Sequence, residues 1–136
     1  STEADAIVDV TVNGGTAGNP GLTLRFTDTS NHWYLQADRA NNLFELHEVD
    51  TGSDVVRASV AKTINDSTDY DLSAIMDADN IVGYIDAGNV ITYASATFNQ
   101  TATEHGLYAD NTDSKYNNYA VYPRTSATYT SEFGAV

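Results

Sequence analysis

An all-β, antiparallel sandwich or barrel is what this sequence predicts, and three observations predict it. Almost every segment alternates apolar and polar residues with period two, and none carries a helical stripe. About eleven such segments follow one another at intervals of roughly 8 to 12 residues, divided by Gly-, Pro-, Asn- and Asp-rich breaks. Thr, Val and Tyr are plentiful, as half-buried pleated surfaces favour.

The elements run as follows. IVDVTV (7–12) puts Val8, Val10 and Val12 on an apolar face and Ile7, Asp9 and Thr11 on the other. NGG and GNPG then break the chain, because Gly and Pro favour turns. LTLRFTD (22–28) sends Leu22, Leu24 and Phe26 one way and Thr23, Arg25 and Thr27 the other. DTSN reads as a turn, HWYLQAD (32–38) as the next strand, RANN as another turn and LFELHEV (43–49) as its successor. VVRASVAKT, YDLSAIMD, NIVGYID and NVITYAS follow. DADN between Met76 and Ile81, and DAG between Ile85 and Asn89, read as hairpin turns. HGLYAD, YNNYAVYP and a last strand in ATYTSEF (127–133) close the chain. No linker interrupts this pattern. At 136 residues it predicts one domain over 1–136, with 124–136 as a C-terminal arm.

Three stretches in order, LRFTDTSNHWYLQADRANNLFELHEV, YDLSAIMDADNIVGYIDAGNVI and HGLYADNTDSKYNNYAVYP, carry a resemblance. Its residues are Arg25-Phe26, Trp33-Tyr34-Leu35, Asp77-Ala78-Asp79-Asn80-Ile81, Tyr84-Ile85-Asp86, Gly106-Leu107-Tyr108 and Tyr116-Asn117-Asn118-Tyr119. Together they resemble the laminin-G-like members of the concanavalin A-like lectin/glucanase superfamily over roughly residues 20–123. The resemblance implies a two-sheet jelly roll. Related domains bind polysaccharide, coat cell surfaces or sit on virions of bacterial viruses, and others are hydrolases. A fold alone does not choose among these.

The richest stretch is FTDTSNHWYLQADRANNLFEL (26–46), which holds the single tryptophan. Alternation sends Trp33, Leu35, Ala37, Phe44 and Leu46 to the core with Leu22, Leu24 and Phe26. A buried Trp33 needs a partner for its indole N–H. The alternative is an exposed sugar platform. The opposite face gathers Arg25, Thr27, Tyr34, Gln36, Glu45 and His47. Saccharides are bound by flat apolar faces beside planar hydrogen-bonding groups. Arg25, Tyr34, Gln36, Glu45 and His47 are therefore the candidate ligand-binding set. The alternative is a solvated sheet surface with cross-strand pairs such as Arg25 with Glu45, each worth roughly 0.2–1 kcal/mol.

Catalysis is not expected. Glycosidases generally place two carboxyl groups across the scissile bond. The glucanase branch carries E-x-D-x-x-E, whereas ELHEVD places His47 two residues after Glu45. The absence of cysteine excludes disulfides and thiolate chemistry. Hard cations take oxygen ligands from loops. Asp110, Asn111 and Asp113 in ADNTDS are the candidate calcium ligands. Asp and Asn also favour turns for purely local reasons.

Nineteen acidic residues against six basic ones give a net charge of −13, which opposes binding to nucleic acid or anionic lipid. No apolar run approaches the roughly 18 residues of a membrane span. The expectation is a non-catalytic, lectin-like module that binds a glycan or polysaccharide surface, extracellular or on a virion. The alternative is a structural decoration or fibre protein of a virus particle or surface layer, whose partners are copies of itself or assembly neighbours. The aromatic end (Tyr116, Tyr119, Tyr122, Tyr129, Phe133) supports assembly, since exposed rings suit interfaces. Those rings filling the core is the competing explanation.

Overall fold

A computed structural model describes residues 4–124. The expected strand in ATYTSEF, and the arm apart from Arg124, lie outside the described residues. Ten strands fall where alternation places them: β1 (Ala6–Asn13), β2 (Gly21–Asp28), β3 (Asn31–Asp38), β4 (Leu43–Asp50), β5 (Ser53–Ala61), β6 (Asp69–Asp77), β7 (Asn80–Ile85), β8 (Asn89–Tyr93), β9 (Glu104–Tyr108) and β10 (Lys115–Pro123). They build two five-stranded sheets, ordered β10-β1-β6-β7-β8 and β5-β4-β3-β2-β9. Every ladder is antiparallel. The fold is an all-β jelly-roll sandwich, as the sequence predicts.

The inner faces meet in one core. Val8, Val10 and Val12 of β1, with Leu72, Ala74 and Met76 of β6, face Leu22, Leu24, Trp33, Leu35, Phe44 and Leu46 of the second sheet. Trp33 is fully buried, and its indole N–H donates to the Phe98 carbonyl at 2.8 Å. Its ring lies 5.8 Å from that of Tyr93. The core placement of Trp33 and its need for a partner are both met.

The hairpin turns follow their residues. Ala78 in DADN, and Asp86 with Ala87 in DAG, take positive φ between 51° and 57°. Primed turns demand that conformation; Asp86 tolerates it, whereas Ala78 and Ala87 adopt it against their own preference because the ladder requires it. The Asp86 carboxylate accepts the Asp71 N–H at 2.8 Å, securing the second turn to β6.

One irregularity changes which residues face outward. Arg25 sits at φ 46°, and the register of β2 shifts against both neighbours there: Thr23 opposes Gly106, but Phe26 opposes Glu104. Between these pairs β2 holds one residue more than β9, and between Leu24–Trp33 and Asp28–Asn31 two more than β3, a β-bulge. Alternation fails at two predicted positions as a result. Arg25 turns inward and is fully buried, so it is not part of the outer face. Phe26 turns outward, half-buried, instead of joining the core.

The backbone groups of Arg25 find partners off the ladder. The Arg25 N–H donates to His105 Nδ1 at 3.0 Å, and its carbonyl accepts from Asn99 Nδ2 at 3.3 Å. The guanidinium donates to the carbonyls of Ala78 (2.7 Å), Ala96 (3.2 Å) and Ala4 (3.4 Å), and pairs with the Asp5 carboxylate at 3.2 Å. Burial is the main influence on this guanidinium and pulls its pKa below the usual arginine value. Asp5, Asp77 and Asp79 oppose that pull.

Candidate functional site

The outer face of the second sheet brings four of the five candidate residues together. Tyr34 and Gln36 come from β3, Glu45 and His47 from β4, and the register pairs Tyr34 with His47 and Gln36 with Glu45. Opposed residues in an antiparallel pair share a face, so the clustering is a direct product of alternation and register. Arg25, the fifth candidate, lies on the other side of the sheet for the reason given above.

The four side chains form one bonded network. Glu45 Oε2 accepts from Gln36 Nε2 and lies within hydrogen-bonding distance of His47 Nε2, both at 2.9 Å. His47 Nδ1 lies 2.8 Å from Asp54 Oδ1 and 2.9 Å from the Tyr34 hydroxyl. That hydroxyl donates to Asp54 Oδ2 at 2.6 Å. The His47 ring is held at both nitrogens, between a carboxylate of β4 and one of β5. Gln36, Glu45 and His47 are each 7–8% exposed, so they form a rigid floor more than a mobile fringe.

Aromatic stacking completes the arrangement. The Tyr34 ring lies between two others: His47 at 4.3 Å and 12°, and Tyr108 of β9 at 4.2 Å and 9°. Both faces of Tyr34 are therefore covered, and it is only 5% exposed. Tyr108 sits on the edge strand, half-buried, with Tyr34 as its one ring neighbour among the described residues. The ring that can meet a ligand is Tyr108, and Tyr34 positions it. Gly21, paired with both Tyr108 and Gln36, brings the strands into close approach: a Cβ there would fall 1.8 Å from the Leu35 carbonyl oxygen.

The electrostatics are acidic. Burial, then the bond to Asp54, raises the Tyr34 phenol well above the tyrosine range. Burial is also the main cause for Tyr108, followed by the carboxylate of Asp110, with Asp54 and Asp38 adding to the rise. No free cation relieves this field among the described residues. Arg25 is buried, and Arg39, Arg57, Lys62 and Arg124 pair with Asp66, Glu48, Asp86 and Asp77. Lys115 belongs to the other sheet.

Sequence reasoning missed Tyr108, Asp54 and Phe26. Alternation in HGLYAD does place Gly106 and Tyr108 on one face. That β9 lies against β2 is a long-range pairing with no local signal. Asp54 was hidden by a second bulge, between Leu46 and His47 of β4 and Ala58 and Val56 of β5.

The predicted calcium ligands lie in the β9–β10 loop and bond to backbone. Asp110 Oδ1 accepts the Asn19 N–H at 2.7 Å, and Asp113 Oδ2 accepts the Thr16 N–H at 2.7 Å. Asn111 Oδ1 accepts the Asp113 N–H at 2.9 Å. These bonds fasten the loop to the β1–β2 connection. The bond to Thr16 is the chief reason the Asp113 carboxyl sits below its usual range. No group of three or more His, Cys, Asp or Glu converges on a cation position among the described residues.

No protein-family model and no curated protein matches this chain. Solved structures do. A carbohydrate-binding module, CBM66 from Bacillus subtilis, superposes with a TM-score of 0.78 at 19% identity, over 87% of this chain and 74% of that one. The Caenorhabditis elegans galectin LEC-6 does so with 0.64 at 10% identity, over 88% and 84%. A GH43 protein of Bacillus licheniformis, BlXynB, gives 0.68 at 11% identity over 91% of this chain but 28% of that one, so the likeness is to a fraction of that protein. At such identities the shared property is the fold: this chain is a two-sheet jelly roll of the same architecture as these proteins.

Proposed function

We infer that the outer face of the second sheet binds a glycan and that the chain is a non-catalytic, lectin-like module. The observation that carries this reading is the Tyr108–Tyr34–His47 stack set beside the bonded Gln36–Glu45 pair. A sugar offers an apolar face of C–H groups and a rim of hydroxyls. The outer side of Tyr108 suits the first. The side-chain oxygen of Gln36 and the Oε1 of Glu45, which take no hydrogen bond among the described residues, suit the second. Because the polar groups are already held in place, little side-chain entropy is lost on binding. The folds of a carbohydrate-binding module and of galectins, one of them a toad ovary galectin in complex with N-acetylgalactose, support the reading by analogy. The laminin-G-like motifs of the sequence do so too.

The same geometry speaks against hydrolysis. Glu45 and Asp54 face each other across the His47 ring, which fills the space a scissile bond would need.

The test is a glycan array followed by calorimetry on whatever binds. Tyr108→Ala is expected to weaken binding roughly tenfold or more, about 1.4 kcal/mol, with the fold intact by circular dichroism. Native affinity in that variant would refute the site. Removing calcium with a chelator is expected to leave the melting temperature unchanged, since the loop carboxylates already hold backbone N–H groups. A drop on chelation, restored by added calcium, would place a cation at Asp110, Asn111 and Asp113.

A second reading is assembly into a virion or surface layer, and the exposed edges favour it. Val55 (38% exposed) and Val56 (48%) lie on edge strand β5, and Tyr119 (40%) on edge strand β10. A defined oligomer by light scattering, with no glycan bound, would select it. Either reading puts the protein outside the cell or on a virion.

A further inference from the structure

A cleft of about 230 Å³ lies on the same face as the Tyr108 stack, lined by Thr23, Phe26, Glu104, His105, Gly106 and Leu107. Its place follows from the bulge. Thr23 opposes both Tyr34 and Gly106, and beyond the extra residue Phe26 opposes Glu104, so all five share the outer face. Rings link the two regions. Phe26 lies 5.6 Å from His32, which lies 6.1 Å from Tyr34, which stacks on Tyr108. Between the two aromatic positions the edge strand carries only Gly106, where an added Cβ would meet no atom within 4 Å. The result is an open lane with a ring at each end and a glycine between.

We propose that this cleft is a second sugar subsite, so that the face takes an uncharged glycan chain of at least two residues, not a single terminal sugar. The proposal rests on the glycan reading of the Tyr108 stack. Phe26 supplies the second apolar wall, and Glu104 and the Thr23 hydroxyl supply polar groups beside it. The Thr23 hydroxyl donates to the Leu107 carbonyl at 3.2 Å, which leaves its oxygen lone pairs for a sugar hydroxyl. Charge sets the ligand class. Glu104 stands at one end of the lane and Glu45, Asp54 and Asp38 at the other, with no unpaired arginine or lysine on this face among the described residues. Uronates and sulfated sugars would be repelled, whereas hydroxyls find acceptors.

Calorimetry with gluco-, manno-, xylo- and galacto-oligosaccharides, each from the monosaccharide to the pentasaccharide, tests this. In the native protein the affinity is expected to rise with chain length by roughly tenfold or more. Gly106→Trp adds bulk in the lane where no atom opposes it. It is expected to cut affinity for the longer chains far more than for the monosaccharide, at an unchanged melting temperature. Phe26→Ala, which removes the wall without adding bulk, is expected to erase the same gain. Length-independent affinity in the native protein, or a Gly106→Trp variant that keeps the gain, would overturn the subsite while leaving the Tyr108 site standing. Equal binding of heparin or polygalacturonate would overturn the uncharged class. Failure of every sugar to bind would refute the parent reading and this one with it.

Discussion

Arg25→Ala is expected to destabilise the protein by about 3 kcal/mol, seen as a fall in melting temperature of roughly 10 °C. The guanidinium is fully buried and holds three carbonyls (Ala4, Ala78 and Ala96) together with the Asp5 carboxylate. Those groups belong to the segment entering β1, the β6–β7 turn and the segment after β8, so one side chain fastens three parts of the chain behind β2. Truncation takes the guanidinium donors from the three carbonyls, leaves the Asp5 carboxylate with the Ala78 N–H alone, and opens a void the size of a long side chain. Leaving a buried acceptor unpaired costs more than the net value of the bond it made. Arg25→Lys is expected to recover only part of the loss, because a single ammonium cannot reach acceptors spread across the fork of a guanidinium. Thermal or denaturant unfolding reads the result, and a change within about 0.5 kcal/mol would show that the clamp is not needed.

Trp33→Ala is expected to cost about 4 kcal/mol. The indole is the largest side chain buried in the core, and it bonds the Phe98 carbonyl at 2.8 Å. Its loss combines a cavity with an orphaned acceptor. Trp33→Phe separates the two, since the ring is largely kept and the N–H is not. About 2 kcal/mol is expected there. Denaturant midpoints at a constant slope check both values. A Trp33→Ala variant as stable as the native chain would mean that the sheets are held together elsewhere.

The architecture was legible because alternation is a strong local signal when one face of each strand is buried. Val8, Val10 and Val12, or Trp33, Leu35 and Ala37, cannot all be inside unless the chain is extended, and the structure buries them all. The Tyr34, Gln36, Glu45 and His47 cluster followed from the same rule, together with the short RANN turn that makes β3 and β4 neighbours. Two things were not legible. The bulge at Arg25 obeys no alternation signal: its residue is neither glycine nor asparagine, and its energetics lie in carbonyls 21 to 71 positions away. The approach of Tyr108 to Tyr34 depends on β9 lying against β2, and only the assembled sheet shows that. The motif resemblance led to the jelly roll through Arg25-Phe26, yet it could not say which of the two faces out.

Two triplets, Asn65-Asp66-Ser67 and Asn99-Gln100-Thr101, match the Asn-x-Ser/Thr glycosylation pattern, and the second illustrates the same point. As a pattern it suggests a surface modification. In the fold its Asn99 amide donates to the Arg25 and Asn31 carbonyls at 3.3 and 2.9 Å. The side chain is therefore committed to holding the bulged strand, which a sugar attached to that nitrogen would disrupt.

The supernumerary residue that β2 carries against β9 is the arginine itself, so chain length at this point governs the clamp more than the aromatic lane. A one-codon deletion at position 25 would regularise the pairing with β9, leave the phenyl ring outward as the residue that then follows Leu24, and take the buried cation away. Point substitutions tune this surface one group at a time. Loss of the extra residue would keep the rings of that surface and remove what ties the segments behind β2 together, so a relative lacking it would present a similar surface on a looser scaffold.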